Sequence, residues 1–454
     1  MLSITKTLRS LFARPATPPR PRRTRRPLRL ECLEDRTLMC NPGELDPTFG
    51  GGDGISSKAD FPGEADLARA VAVQPDGKIL AGGRADVSAE TISFTDFALA
   101  RFNVDGSLDG SFGSGGMVTY NFSNSAFGSD DVIHAIAVQS DGKIVVAGQG
   151  GSDFGVLRYN TNGTLDKTFG KGGRVTTDFG GASDRASAVA IQPDGKIIVA
   201  GRGATNCVNC SGKIALARYT TAGKLDTSFD GDGKVITNLG TDADNEGVLG
   251  VAIQSNGKIL AGGFSAGAGG LLAGDWTLLR YNSNGSLDAM FGSGGVVVTA
   301  GLGPLTSLAL QLDGQIVAGG SALDINEEQV FAATRYNSNG TLDSSFDVDG
   351  IFVAPQIGVP CDPVCQGDGS RVRGVAVQSD GKIVLGGDAL DNNRASTQFA
   401  LVRLNSNGSF DNTFDSDGIA LAAVGGAGGM ALQADGKIVM SGTSHGILAA
   451  RFCV

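Results

Sequence analysis

Side chains able to carry out acid–base or nucleophilic chemistry are few in this 454-residue chain. His134 and His445 are its two histidines, and they belong to different copies of the internal repeat described below. Neither is accompanied by a nearby series of acidic and nucleophilic residues of the kind that hydrolases use. Trp276 is the single tryptophan, and five tyrosines are sparse for a carbohydrate-stacking surface. We therefore predict a non-enzymatic protein without catalytic residues or a cofactor.

Paired aspartates are the residues best suited to bind a metal ion. They occur in Asp-x-Asp-Gly bends, and two carboxylates on one turn are able to hold calcium. Other copies of the repeat carry glycine at the same places. Aspartate and glycine both tolerate left-handed backbone, so the pattern favours turns and we predict no metal site. The three pairs are Asp230/Asp232, Asp347/Asp349 and Asp415/Asp417.

Three signatures recur seven times in a fixed order from residue 45 to the end of the chain. They are Leu-Asp-x-x-Phe, an Ala-x-Gln-x-Asp-Gly-Lys-Ile stretch, and an apolar stretch that ends in arginine. Each unit is about 60 residues long, a period typical of propellers and solenoids. The glycines of the second signature are Gly77, Gly142, Gly195, Gly257, Gly314, Gly381 and Gly436, and the arginines of the third are Arg101, Arg158, Arg218, Arg280, Arg335, Arg403 and Arg451.

Each unit is expected to form four β-strands. Asp76-Gly77 is expected to make a two-residue hairpin turn, because that turn requires positive φ. Seven four-stranded units predict an all-β fold, a seven-bladed β-propeller, with an open solenoid as the alternative. The order of the strands favours the propeller. An N-terminal outer strand beginning at Leu45 would complete the last blade, which ends with a third strand at residues 448–452, and would close the ring.

The alignment of this split blade also places two cysteines together. Cys40 and Cys453 both fall on the position that Asn160 holds in an intact unit. We predict a disulfide between them, which would link the ends of the propeller across nearly the whole chain. Two free thiols are the alternative.

The other paired cysteines lie in connections between strands. Cys207 and Cys210 fall between the second and third strands of the third unit, and Cys361 and Cys365 fall between the fifth and sixth units. About three blades separate the two pairs, too far for one zinc ion with sulfur bonds of ~2.3 Å. We predict local disulfides, with loop thiols as the alternative.

Residues repeated in every unit are expected to be structural, and departures from the repeat to be functional. We expect the seven arginines to pair with a carboxylate or with carbonyls at the blade edge and to fix blade packing. Loop length does vary, in the connections from second to third strands and from one unit to the next. In a propeller both kinds open on one face, the ordinary place for function on a rigid scaffold.

This loop-rich face is therefore predicted to bind a macromolecule or a glycan at the cell surface. The alternatives are a propeller enzyme that acts on polysaccharide and a purely architectural surface protein. The 70 glycines with only 14 prolines exclude collagen, and an apolar content of 41% excludes intrinsic disorder. No run of ~18 apolar residues is present, so no membrane span is expected.

Charge divides the chain into two parts. Residues 1–40 carry ten basic and three acidic side chains, a net charge of +7. Because the net charge of the whole chain is −10, residues 41–454 carry a net charge of −17. Pro21 and Pro27 bracket the arginine run of the first part and exclude a helix interior, which predicts a disordered leader. The acidic second part opposes nucleic-acid binding. We take residues 41–454 as one monomeric propeller domain.

Two segments resemble known families. Residues 30–38, Leu-Glu-Cys-Leu-Glu-Asp-Arg-Thr-Leu, resemble the LEPR-XLL-type sorting segment of planctomycete-type surface and exported proteins. The sevenfold repeat, with its Gln-x-Asp-Gly-Lys-Ile and Leu-Asp-x-x-Phe-Gly signatures, resembles the delta-60 repeat of bacterial secreted and surface proteins. These resemblances imply a propeller and an extracytoplasmic location, secreted or at the cell surface. The delta-60 family carries no settled activity, so the resemblance implies no functional residues.

Overall fold

The structure of the protein is a computed structural model. It describes residues 40–63, 66–87, 94–122, 130–181, 183–203, 212–240, 246–265, 275–324, 328–357, 369–390 and 397–454. The segment Cys40–Val454 forms one compact unit. Within the described ranges this unit is all-β apart from one four-residue helical turn, α1 (Asp347–Gly350).

The strands form seven separate antiparallel sheets, each made of strands consecutive in the chain. The first strand of each sheet contacts the first strands of its neighbours, so these strands line a central channel. The predicted seven-bladed β-propeller is therefore confirmed. The first four blades are β1 (Leu67–Val73), β2 (Ile79–Asp86), β3 (Thr95–Phe102) and β4 (Met117–Tyr120); β5 (Val132–Val138), β6 (Ile144–Gly150), β7 (Asp153–Tyr159) and β8 (Arg174–Thr177); β9 (Arg185–Ile191), β10 (Ile197–Gly203), β11 (Lys213–Tyr219) and β12 (Lys234–Thr237); and β13 (Gly247–Ile253), β14 (Ile259–Ser265), β15 (Asp275–Tyr281) and β16 (Val296–Thr299).

The last blade differs from the others in its outer position. Its sheet has three strands, and residues 43–59 lie along the free edge of the third. The pairing is made by isolated bridges, Leu45–Phe452, Ile55–Ala450 and Ala59–Ile447, rather than by a regular strand. Blades five to seven are β17 (Leu302–Leu310), β18 (Ile316–Leu323), β19 (Gln329–Tyr336) and β20 (Ile351–Val353); β21 (Arg371–Val377), β22 (Ile383–Leu390), β23 (Thr397–Leu404) and β24 (Ile419–Ala422); and β25 (Gly426–Leu432), β26 (Ile438–Thr443) and β27 (Ile447–Phe452).

The turn between the first two strands of a blade has a three-residue loop. In blade one the N–H of Gln74 donates to the Lys78 carbonyl at 2.8 Å, and the N–H of Gly77 donates to the Gln74 carbonyl at 2.9 Å. Pro75 and Asp76 thus form the centre of the turn, and Gly77 follows in the left-handed region with φ of 82°. The predicted two-residue turn is wrong in length, because the positive φ belongs to the bulge residue after the turn.

The apolar cores lie between neighbouring blades. Val317 of blade five packs with Leu385 of blade six in one cluster. Val439 of blade seven packs with Ile79 and Ala98 of blade one in another. Every neighbouring pair of blades in the described chain shares such a cluster. Burial of apolar surface therefore operates between the last and first blades as it does elsewhere around the ring.

The arginine that ends each third strand binds three groups at once. In blade three Arg218 Nε donates to Asp226 Oδ2 at 2.8 Å, and its NH1 donates to the carbonyl of Ser283 in the next blade. The guanidinium carbon lies 4.6 Å from the centre of the Phe229 ring, a cation–π contact. Lys196 Nζ lies 3.1 Å from the same carboxylate oxygen. One side chain thus fixes the Leu-Asp-x-x-Phe turn and the neighbouring blade.

This arrangement recurs around the ring, which confirms the predicted role of the repeated arginines. In the described chain the Nε–Oδ2 distances are all 2.7 or 2.8 Å. The lysine of the Asp-Gly-Lys signature also binds the carboxylate, and Gln315 replaces it in blade five. The pairs are Arg101–Asp109, Arg158–Asp166, Arg218–Asp226, Arg280–Asp288, Arg335–Asp343, Arg403–Asp411 and Arg451–Asp46.

The aspartates of these pairs are held as carboxylates. Burial alone would raise the pKa of Asp226, but hydrogen bonds from Ser228 and Lys196 and the charge of Arg218 outweigh it and lower the pKa to about 2. The pKa values of Asp46 and Asp411 are lowered to about 2 in the same way. Ionisation of these aspartates is thus coupled to folding.

The two ends of the propeller are joined covalently as well. Cys40 and Cys453, the pair predicted from the split blade, form a disulfide with their Cα atoms 5.9 Å apart and 413 residues between them in sequence. Next to it, the ion pair between Arg451 and Asp46 joins the same two ends. Both links restrict opening of the ring at blade seven.

Replacing Cys40 and Cys453 by serine is expected to lower the free energy of unfolding by about 2–5 kcal/mol, because the crosslink restricts a very long loop in the unfolded chain. Denaturant titration of the double variant and of the wild type, each with and without reductant, measures the effect. Reductant should lower the stability of the wild type by more than it lowers that of the variant, which keeps only the other cysteines. Equal stability of the two proteins without reductant would contradict the prediction.

Asp226→Asn is expected to lower the free energy of unfolding by about 3 kcal/mol or more, because it leaves the buried Arg218 without its counter-charge. Asp194→Asn is the matched control, since Asp194 also lies near Lys196, at 3.5 Å, but its side chain is 55% exposed. This control should cost about 1 kcal/mol or less. Denaturant titration compares the two, and equal losses would show that the buried pair has no special role.

Stability is expected to fall in acid through the same carboxylates. A lowered folded pKa gives stability that is complete above the unfolded value of about 3.9 and is lost as pH falls toward the folded value. Asp226, with its pKa of about 2, thus contributes to a loss between about pH 4 and pH 2. Denaturant titrations across this range should show Asp226→Asn with a shallower pH dependence, by about one proton. Identical slopes for variant and wild type would contradict the assignment.

Candidate functional site

The propeller has two chemically different faces. The hairpin face carries the turns that follow the first and third strands, such as residues 74–78 and 103–107. The loop-rich face carries the connections from second to third strands and from blade to blade. The central parts of most of its connections, with Cys207, Cys210, Cys361 and Cys365, lie outside the described residues, so the predicted local disulfides stay predictions.

The hairpin face repeats the same chemistry around the ring. A cavity of about 600 Å³ between blades one and two is lined by Gln74, Arg101 and Asn162, among others. A cavity of about 480 Å³ between blades three and four is lined by their counterparts Gln192, Arg218 and Asn284. Because these grooves contain the repeated arginine network, we assign them to the structure of the ring and not to a ligand site.

The Asp-x-Asp-Gly bends also belong to the hairpin face, and they are turns as predicted. Asp230, Asp347 and Asp415 have φ of 50°, 43° and 44°, the left-handed region that glycine occupies in other blades. The second aspartate of each bend accepts a hydrogen bond from a backbone N–H two residues later, as Asp232 does from Lys234 at 2.8 Å. Their carboxylates therefore complete the turns.

Three carboxylates on the loop-rich face lie close together. Asp153, Asp178 and Asp184 each place an oxygen within 4.8 Å of the others. Asp184 accepts a hydrogen bond from the N–H of Phe179 at 2.6 Å. In other blades an acidic residue directly before the first strand also accepts a hydrogen bond from a backbone N–H, as Asp131 does from the N–H of Phe122. Asp184 therefore has a repeated structural role.

The innermost strands carry a residue that breaks the repeat. Each of them has a register shift near its start, at the loop-rich end of the channel. The unpaired residues there are Arg69, His134 and Arg373 in blades one, two and six, but Ser187, Leu249 and Gly428 in blades three, four and seven. This position therefore differs from blade to blade while the surrounding strand is repeated.

Basic residues from four blades gather at this end of the channel. We call them the basic arc, and its members come from the starts of the first strands and the ends of the second strands. Arg185 and Arg202 are exposed and the others are half-buried. The members are Arg69, Arg84, His134, Arg185, Arg202, Arg371 and Arg373.

The members of the basic arc influence one another electrostatically across blades. Burial lowers the pKa of Arg69 to about 10, assisted by the positive charges of Arg373, Arg185 and Arg84, while Asp388 opposes the effect. The charges of residues from blades one, three and six therefore act on one side chain. Positive charges near a guanidinium lower its pKa in this way, so these arginines lie close to Arg69.

Within the arc, His134 is held as a neutral hydrogen-bond acceptor. Burial lowers its pKa well below the usual value, and the charges of Arg185, Arg69 and Arg84 lower it further. Arg185 Nε accordingly donates to His134 Nε2 at 3.0 Å. The second histidine, His445, lies in the connection between β26 and β27, in blade seven.

Two arginines of the arc have donors that remain unused. Arg69 Nε and Arg84 Nε are buried and have no hydrogen-bond partner among the described residues. Arg373, by contrast, pairs with Asp388, with its NH2 3.2 Å from Oδ1, and Arg371 Nε donates to Gln329 Oε1 at 2.9 Å. The arc thus combines fixed arginines with two whose buried Nε donors have no acceptor.

This site is not among those predicted from the sequence, although the sequence carries a signal for it. The residue three places before the repeated alanine of the first strand is the one that varies, as Arg69 stands before Ala72 and His134 before Ala137. The lysine that joins the repeated aspartates was also missed, and its recurrence in all but one unit was the available signal.

Comparison with protein families matches six segments of the chain to the model described as domain of unknown function (DUF5122) beta-propeller. They are residues 74–112, 139–169, 192–229, 254–291, 311–346 and 378–414. Each runs from the glutamine before the first turn to the phenylalanine of Leu-Asp-x-x-Phe. The seventh unit is divided between Gln433 and Phe49, so it is not contiguous in sequence. Comparison with curated proteins found no match.

Comparison with solved structures found similar chains that are distant in sequence. A WD40 β-propeller domain of Doa1 is 12% identical, with a TM-score of 0.49, and 88% of this chain and 96% of that one are covered. An α-L-arabinofuranosidase from Fusarium graminearum is 13% identical, with a TM-score of 0.47 and coverages of 77% and 98%. A virginiamycin B lyase from Staphylococcus aureus is 11% identical, with a TM-score of 0.45 and coverages of 88% and 99%.

In the described ranges no helix has the length and apolar character needed to cross a membrane. The fold and the family match agree on the architecture, since each matched segment covers the second and third strands of a blade with their flanking turns. The chain is a β-propeller protein with six repeats that match the DUF5122 beta-propeller model.

Proposed function

We propose that this protein is a non-enzymatic binding scaffold whose loop-rich face holds a macromolecule or glycan outside the cytoplasm. The observation that carries the proposal is the contrast between the faces. The hairpin face repeats one network in all seven blades, whereas the channel mouth on the other face carries residues that vary among the blades, such as Arg69, His134 and Leu249. A rigid repeated body with one variable face is typical of binding scaffolds.

The bases of the variable connections are tied together across blades, which supports a continuous binding surface. The N–H of Asp131, just before β5, donates to the carbonyl of Thr95 in blade one at 2.9 Å. The N–H of Asp184 donates to the carbonyl of Ser152 at 2.7 Å in the same way. The ends of the connections that precede β5 and β9 therefore lie against the ends of the second-to-third-strand connections of the preceding blades.

The extracytoplasmic location rests on two further observations. The disulfide between Cys40 and Cys453 belongs to a class of bond that persists in oxidising compartments. The basic leader, with its resemblance to a sorting segment, supports export. Both favour a secreted or cell-surface protein.

The proposal is tested by shortening the loops while keeping the blades. The long second-to-third-strand connections of blades one, three, four, five and six are replaced by the two-residue Gly151-Ser152 link of blade two. We expect the variant to keep the melting temperature of the wild type within a few degrees and to lose capture of surface material in a pull-down from isolated cell envelopes.

The matched control changes the opposite face. Lys171→Gln with Lys224→Gln alters two exposed residues of the hairpin face and should leave capture unchanged. Retention of every captured partner by the loop-shortened variant, or capture of none by the wild type, would refute the proposal.

A further inference from the structure

We infer that the basic arc is an anion-binding subsite that takes the carboxylate or sulfate groups of an acidic glycan. The inference rests on the proposed function, because it names the ligand class for the same face. Its basis is the convergence of guanidinium groups from several blades on the loop-rich mouth of the channel.

The local charge of the arc is opposite to that of the propeller. Residues 41–454 carry a net charge of −17, yet the arc brings together six arginines and His134. Asp388 is the carboxylate that pairs with Arg373 and that acts on Arg69. Like charges held together in this way oppose folding, so a role in binding an anion accounts for their presence.

Unused donors show where the anion would sit. Among the residues that the structure describes, the buried Nε atoms of Arg69 and Arg84 have no acceptor, an arrangement that is rare in folded proteins and unfavourable without a partner. The two arginines lie on paired strands of blade one, where Leu67 faces Arg84. An anionic oxygen placed between them would accept hydrogen bonds from both Nε–H groups.

The scaffold holds these donors in place before a ligand arrives. Arg69 and Arg373 lie at register shifts of the innermost strands, with backbone fixed by the sheet. Between them, blade seven has Gly428, where an added Cβ would lie 2.6 Å from the Ala68 carbonyl oxygen. Position 428 therefore places no side chain between Arg69 and Arg373. Preorganised donors of this kind reduce the entropy lost on binding.

The distribution of the arc favours a chain with several anionic groups over a single small ion. Its members span blades six, one, two and three, and guanidinium groups bind carboxylate and sulfate oxygens through paired N–H donors. At the blade-four end, a Cβ added to Gly247 would lie 3.3 Å from the Phe264 ring and 3.7 Å from the Cβ of Arg202. The ring and the arginine are therefore neighbours. An aromatic ring next to cationic groups suits a sugar ring that bears an acid.

The inference is tested with a variant that removes only the unpaired donors. Arg69→Gln with Arg84→Gln removes two positive charges and leaves the Arg373–Asp388 pair intact. The control, Lys171→Gln with Lys224→Gln, removes the same charge from the hairpin face. The probes are oligogalacturonate, which carries carboxylates, and size-matched dextran sulfate, with neutral dextran as the reference, all measured by calorimetry at one fixed salt concentration.

We expect the wild type and the control to bind at least one acidic probe and the arginine variant to bind it about tenfold more weakly or worse. Stronger binding of one probe distinguishes carboxylate from sulfate. Without ligand, the arginine variant should melt at the same or a higher temperature than the wild type, because repulsion within the arc is relieved. A structural role for these arginines predicts the reverse, a lower melting temperature.

The outcomes separate this inference from the proposed function. If neither acidic probe binds the wild type better than neutral dextran, or if the arginine variant binds as the wild type does, the inference is overturned. The loop-shortened pull-down then still decides the proposed function by itself. If the wild type captures no surface partner but binds an acidic probe through Arg69 and Arg84, the subsite stands, and the part of the proposed function that assigns capture to the long loops fails.

Discussion

The ion pair between the arginine of each third strand and the aspartate of Leu-Asp-x-x-Phe is the interaction on which the ring depends. It is buried, and in blade three it connects the outer turn, the Phe229 ring and the next blade through a single guanidinium. A buried pair of this kind contributes geometry more than net stability, because the cost of desolvation offsets much of the attraction. Its value to a propeller is that it fixes the angle between blades whose apolar surfaces alone are non-directional. In blade seven the same pair, Arg451 with Asp46, joins residues from opposite ends of the chain.

Because these stabilising contacts lie on the hairpin face, the residues of the loop-rich face are free to vary. The turns, the arginine network and the inter-blade grooves all lie toward the hairpin face and repeat with little change. At the loop-rich end of the channel the first strands carry Arg69, His134 or Leu249 at one equivalent position. A closed ring tolerates this variation because the stabilising contacts are made elsewhere. Separation of the structural residues on the hairpin face from the variable residues on the loop-rich face is therefore the main physical feature of this chain.

Much of the architecture could be predicted from the sequence because the signatures of one blade recur seven times. The blade count, the strand order, the partners of the repeated arginines and the Cys40–Cys453 pair all follow from aligning the copies. The length of the turn at Pro75–Gly77 was predicted wrongly because glycine with positive φ serves either a two-residue turn or a bulge, and sequence does not separate them. The basic arc was not predicted, because its residues are far apart in sequence and meet only when four blades are placed around one channel.

The central claim is that repeated residues hold the ring and that ligands contact the face where the repeat is broken. Hydrogen–deuterium exchange with and without oligogalacturonate or dextran sulfate tests it directly. The account predicts added protection at the starts of β1, β5, β9 and β21 and in the adjoining connections, with no change in the turns of the hairpin face. Protection centred on those turns, such as residues 74–78 and 103–107, would contradict it.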